Sequence, residues 1–177
     1  TVIFPKAEVT HAFKIGDPNT ILKLLKLPFN FVKSKEILGM HLYWASGVGY
    51  IDVVKALLLF KDVVDINKFY PLLAASYKGN LAVARLLLVN GADVNQANPN
   101  VDIANKAGET PLIIASKRGH IAFVKLLLDN RANVNQADND GDTPLTVAKT
   151  PEIRRMLRRW PRQVAQARRA RITLLLC

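Results

Sequence analysis

The chain has 177 residues, half of them apolar, and a net charge of +11. That length is one domain's worth and is enough to bury a core. No apolar run approaches the ~20 residues of a membrane-spanning helix, and the single cysteine, Cys177, excludes a disulfide framework and favours an intracellular setting.

The charge is unevenly spread. Residues 151–177 carry eight arginines, no lysine and one acid, Glu152, for a net +7, whereas residues 1–150 carry a net +4 and only three arginines, Arg85, Arg118 and Arg131. The chain opens on Thr1, with no charged stretch leading into an apolar run, so a fragment without a secretory signal is expected.

Residues 1–6, TVIFPK, precede any pattern and read as a strand-like lead-in or a ragged end. The following stretch, EVTHAFKIGDPNTILKLLKLP, is a degenerate copy of what comes later. Ala12 and Gly16 stand 33 positions before Ala45 and Gly49, and Ile21, Leu24 and Leu25 stand 33 before Val54, Leu57 and Leu58. A loop from Leu27 to Leu38 follows, with Phe29 and Phe31 as candidates for packing. A second copy spans residues 40–67 and opens on Met40-His41-Leu42; its bulky Tyr43 and Trp44 require a packing of their own. The third, residues 70–95, comes 30 positions later, because three positions separate Asn67 from Tyr70 where eight separate Asn135 from Thr143. Fifteen positions then run from Asn95 to Thr110. Within them Val94–Asn98 and Val101–Asn105 look like a partial duplication, readable as a hairpin that Pro99 limits or as a plain surface loop.

The pattern is clearest over residues 110–145. Thr110-Pro111 is an N-cap followed by proline at the first helical position, where its missing N–H costs nothing. Leu112, Ile113, Ile114 and Ala115 suit a short buried helix, and Gly119 stops it in the left-handed conformation. A second helix begins at His120, with Ile121, Val124, Leu127 and Leu128 on one face. Asn133-Val134-Asn135 and Asp138-Asn139-Asp140-Gly141 supply turn chemistry, and TPL returns 33 positions after its first appearance. The fifth copy is truncated to TPLTVAK and TPEIRRML. Ile153, Met156 and Leu157 continue its apolar face, and Arg154, Arg155, Arg158 and Arg159 make the other face wet, as in a capping helix. The closing WPRQVAQARRARITLLLC has three readings: a further partial repeat, a junction to another domain, or added sequence.

Helix, tight turn, antiparallel helix and hairpin-like loop at a period of 33 resembles the ankyrin repeat. TPLIIASKRGHIAFVKLLLDNRANVN follows the family signature except that Ile113 replaces the usual histidine and Arg131 stands where glycine is usual. A left-handed arginine there costs roughly 1 kcal/mol relative to glycine. The resemblance implies an all-α ankyrin-repeat solenoid of antiparallel helix pairs with finger loops. Repeats fall near 7–38, 39–69, 70–109, 110–142 and 143–159, followed by a basic tail at 160–177.

The chemistry-bearing residues favour no catalytic reading. His11, His41 and His120 are far apart, with no HExxH among them; Gly47-Val48-Gly49 is too short for a dinucleotide loop; and neither a P-loop nor GxSxG occurs. Asp138, Asp140 and Asp142 hint at a calcium loop, but Thr143 stands where glycine is required and Lys149 where a bidentate glutamate is required. No enzyme activity, metal or cofactor is therefore expected.

What the resemblance implies instead is protein–protein recognition through a concave face of first helices and finger loops. Carried over by position, the residues before the turn glycines are Gly47-Val48, Tyr77-Lys78 and Lys117-Arg118, and the finger-tip residues are Phe69, Lys106, Glu109, Asn139, Asp140 and Asp142. These cations and Tyr77 suit an acidic partner with an apolar spot. A monomer is expected, in the cytoplasm or nucleus, or in a host cell if the chain is part of a secreted bacterial effector. Two alternatives stand beside this reading: a targeting module for an enzyme whose catalytic domain lies outside this sequence, and a nucleic-acid or acidic-surface binder acting through the basic tail. Nucleic acid is the weaker, because Trp160 is not interleaved with other aromatics.

Overall fold

The computed structural model describes residues 35–60, 64–98 and 108–161, with no strand among them. The lead-in, nearly all of the first repeat, most of the long finger and the tail beyond residue 161 lie outside the described residues. The chain divides into two compact units, Thr1–Gln96 and Ala97–Cys177.

In the first unit, α1 (Lys35–Val48) and α2 (Ile51–Leu58) form one helix pair, and α3 (Pro71–Lys78) and α4 (Leu81–Val89) form the next. α1 packs on α3, and α2 on α4, so first helices make one layer and second helices another. The core repeats at the sequence period of 30. Leu42 and Leu72, Ala45 and Ala75, Val54 and Ala84, and Leu57 and Leu87 are all buried. Ala45 and Ala75 are fully buried, and alanine's small side chain suits closely packed backbones.

α1 begins at Lys35, five residues before the Met40 start read from the sequence. Gly39, which looks like a boundary, lies inside the helix for a steric reason. A Cβ there would meet the Phe69 ring at 2.9 Å. The last residues of the expected Leu27–Leu38 loop are thus helical.

In the second unit, α5 (Pro111–Arg118) and α6 (Ile121–Asp129) pair in the same way, and α7 covers residues 151–161. Thr110 Oγ1 accepts the Ile113 N–H at 3.2 Å, satisfying a donor that the helix leaves orphaned. Thr150 repeats the device by accepting from Ile153 at 3.2 Å. Between them, Thr143-Pro144 opens only a turn over residues 144–147. Gly119 closes α5 with φ 83°, and its neighbour His120 donates to the Ala115 carbonyl at 3.0 Å. An L-residue with a Cβ would be strained at that φ. Leu112, Ile113, Ile114, Phe123, Val124, Leu127, Ile153 and Leu157 fill the core. The full burial of Ile113 accounts for an apolar residue where the family signature has histidine.

Candidate functional site

The first helices α3 and α5 bury nearly everything they have. In α3 every residue from Pro71 to Ser76 is buried, which leaves Tyr77 half-buried and Lys78 exposed before the turn glycine. The pattern recurs in α5: Pro111 to Ser116 are buried, and Lys117 and Arg118 are exposed. In α1 the corresponding pair is half-buried Gly47 and exposed Val48. A residue at these positions is fixed to a rigid helix yet open to solvent, which suits it to recognition.

Around α3, aromatic side chains build a partly covered surface. The Trp44 and Tyr50 rings meet edge to face at 5.4 Å. Burial, with a smaller effect of nearby Tyr77, holds the Tyr43 phenol above its ordinary pKa. Tyr43 and Trp44 are thus the special packing that the second repeat requires. Asn80, just after the α3 turn, donates from its Nδ2 to the carbonyls of Ser46 at 2.8 Å and Gly47 at 2.9 Å. This bond holds the end of α1 against the turn that follows α3.

In the second unit, Lys117 does not wave freely. Its Nζ lies 2.9 Å from Glu109 Oε1; the lysine side chain is 47% exposed, the glutamate 2%. Expected at a finger tip, Glu109 is instead buried, and its carboxylate fixes the lysine rather than facing outward. Phe69 also differs from a free tip. It and Tyr70 have positive φ values of 62° and 60°, and the Phe69 ring lies against Gly39 with Lys68 Nζ 5.5 Å from its centroid. A three-residue connection leaves no gentler path for the chain than two consecutive left-handed residues. Lys106 lies outside the described residues.

The finger at 138–142 is built on one carboxylate. Asp138 is buried, and its Oδ1 accepts the backbone N–H groups of Asp140 at 3.0 Å and Asp142 at 2.9 Å. This is an Asx turn, with the carboxylate standing in for a backbone acceptor. It leaves Asn139 and Asp140 exposed and Asp142 half-buried, with a bond from Thr146 Oγ1 to Asp142 Oδ1 at 3.3 Å. Arg131 adopts φ 65°, the left-handed conformation that Gly91 takes with φ 92° at the same position of the third repeat. Among the described residues, no three His, Cys, Asp or Glu side chains gather as a metal site would require. Nor is any helix there long and apolar enough to cross a membrane.

Of the residues named before the turn glycines, Val48, Lys78, Lys117 and Arg118 are exposed and Gly47 and Tyr77 half-buried, whereas the burial of Glu109 was missed. Nothing in the residues beside Glu109 signals that burial, because its cation, Lys117, lies eight positions on. Two family models match the chain: ankyrin repeats (3 copies) over residues 10–98 and ankyrin repeats (many copies) over residues 95–148. No curated protein matches it.

Proposed function

The chain belongs to the ankyrin repeat family, a fold of protein–protein interaction modules, and from that premise we propose that it binds an acidic partner protein as a monomer. The candidate contacts are Tyr77 and Lys78 for the first unit, taken by itself, and Lys117, Arg118, Asn139, Asp140 and Asp142 for the second, taken by itself. The observation that carries this reading is the exposure of the residue directly before the turn glycine, Lys78 on α3 and Arg118 on α5, on helices otherwise buried to the last turn. Lys117 supports it further. Its ammonium is tethered by a buried carboxylate at 2.9 Å, so less side-chain freedom is lost when it meets a second acid. In this reading Glu109 positions Lys117 and makes no contact itself. Phe69 contributes its exposed edge at most, because its ring rests on Gly39. The repeats perform no reaction.

Affinity capture from lysate, followed by titration of the identified partner, tests the proposal. The intact chain is compared with a variant carrying Tyr77→Ala, Lys117→Glu and Arg118→Glu, after circular dichroism has established that both fold. Loss of at least tenfold in affinity supports the reading. Equal binding by both proteins rejects it.

A further inference from the structure

We propose that a groove between α6 and α7 is a second docking site, and that its occupant is an acidic peptide segment bearing bulky apolar side chains. The inference is independent of the residues before the turn glycines. The groove has a volume of about 420 Å³, within the size range of specific ligand clefts. Its floor is Leu128, Met156 and Trp160, and its rim carries Lys125, Arg155 and Arg159.

Spacing explains why these residues share one cleft. On α6, positions 125, 128 and 129 follow one another at helical intervals on one face. On α7, positions 152, 155, 156, 159 and 160 do the same. Ile153 and Leu157 turn inward to the core, so Met156 and Trp160 are left half-buried beside them, at the margin of the packed interior. A half-covered tryptophan and a flexible thioether form an adaptable apolar floor.

The charges select the occupant. Asp129 and Glu152 also line the groove, yet among the described residues no ion pair joins either of them to Lys125, Arg155 or Arg159. All five charged side chains are exposed, and the three cations outnumber the two acids. Arg154 and Arg158, exposed on the same helix, raise the positive potential beside the cleft. A carboxylate arriving here meets guanidinium forks that no acid among the described residues holds and can be gripped by two parallel hydrogen bonds. Simple polyanions satisfy the rim but leave the floor wet, whereas an acidic segment with leucine or phenylalanine satisfies both.

The test uses a fluorescent hexapeptide of sequence Asp-Glu-Leu-Phe-Glu-Asp, titrated with the full chain and followed by anisotropy. A second peptide replaces its two apolar residues with serine; anionic phospholipid vesicles and duplex DNA serve as competitors. The expected results are saturable binding of the first peptide, at least tenfold weaker binding of the serine peptide, and at least tenfold weaker binding of the first peptide by Arg155→Glu/Arg159→Glu and by Trp160→Ala. The arginine pair is exposed, so that variant keeps the test valid if Trp160→Ala fails to fold. Arg85→Ala, exposed on α4 and outside both the groove and the residues before the turn glycines, is expected to bind the hexapeptide unchanged. Absence of binding at millimolar peptide, equal binding of the serine peptide, an unaltered affinity in the arginine variant, or displacement of the peptide by DNA or vesicles at far lower concentration than by unlabelled peptide would each overturn the proposal.

Discussion

Replacing Lys117 with alanine leaves the Glu109 carboxylate, only 2% exposed, without the ammonium that now lies 2.9 Å away. Two opposing magnitudes set the cost. Breaking a fully buried pair by removing one partner costs about 3–5 kcal/mol, because an uncompensated charge stays inside. An exposed pair contributes about 0–1 kcal/mol. This pair is mixed: the acid is buried, while the lysine side chain is 47% exposed and keeps much of its hydration. We expect Lys117→Ala to destabilise the protein by about 1.5–3 kcal/mol. Glu109→Gln removes the charge that needs a partner, so Lys117→Ala made on top of it is expected to cost less than about 0.5 kcal/mol. The difference is the coupling, about 1–3 kcal/mol, and urea unfolding of the four proteins measures it as a double-mutant cycle. Burial of the acid also shields the pair from ions, so most of the coupling should survive molar salt. A coupling below about 0.5 kcal/mol, or one that salt abolishes, would refute the idea that Glu109 is a buried anchor.

Three further outcomes follow from the same geometry. Burial lowers the His41 pKa from 6.5 to about 4. Between those values the unfolded chain binds more protons, so this histidine's contribution is complete above pH 6.5 and disappears as the pH falls towards 4, a change of about 2 kcal/mol for a partly exposed ring. His41→Phe should flatten that slope in denaturation curves measured across the interval. Arg131→Gly relieves a non-glycine residue at φ 65° and should stabilise the fold by about 0.5–1 kcal/mol, read as a rise in melting temperature of a few degrees. Asn80→Ala removes the amide that serves the Ser46 and Gly47 carbonyls, and a cost of about 1–2 kcal/mol in urea unfolding is expected; no change would mean that water replaces the amide without loss.

The parts of the fold governed by local chemistry could be read before any coordinates. Thr110, Pro111 and Gly119 act through bonds within four or five residues of themselves, and each behaves as its type requires. Arg131 is left-handed because its place in the repeat demands it, and the repeat was visible as a period. What escaped depends on residues distant in the chain. Gly39 stands at the expected start of the second repeat, yet it lies inside α1 and leaves room for a phenylalanine ring 30 positions later. Glu109 reads as a solvated acid because nothing in its immediate neighbourhood marks its burial, and its cation lies eight positions on, across a helix cap. The arginines of α7 were legible as a wet face; the cleft they border arises only when α7 and α6 pack together.

The bonds made by Asn67 bear on how the first unit opens. Its side-chain oxygen accepts the Asp93 N–H at 2.8 Å, and its carbonyl accepts Gln96 Nε2 at 2.8 Å, so the connection after α2 is fastened to the one after α4. Repeat arrays ordinarily fray from an end, one unit at a time, since each touches only its neighbours. Here the two helix pairs share a clasp at their loops as well as a common core, and neither can leave without breaking these two side-chain-to-backbone bonds. Amide hydrogens of α2 and α4 should therefore exchange with one common opening free energy, making this pair a single cooperative step in unfolding.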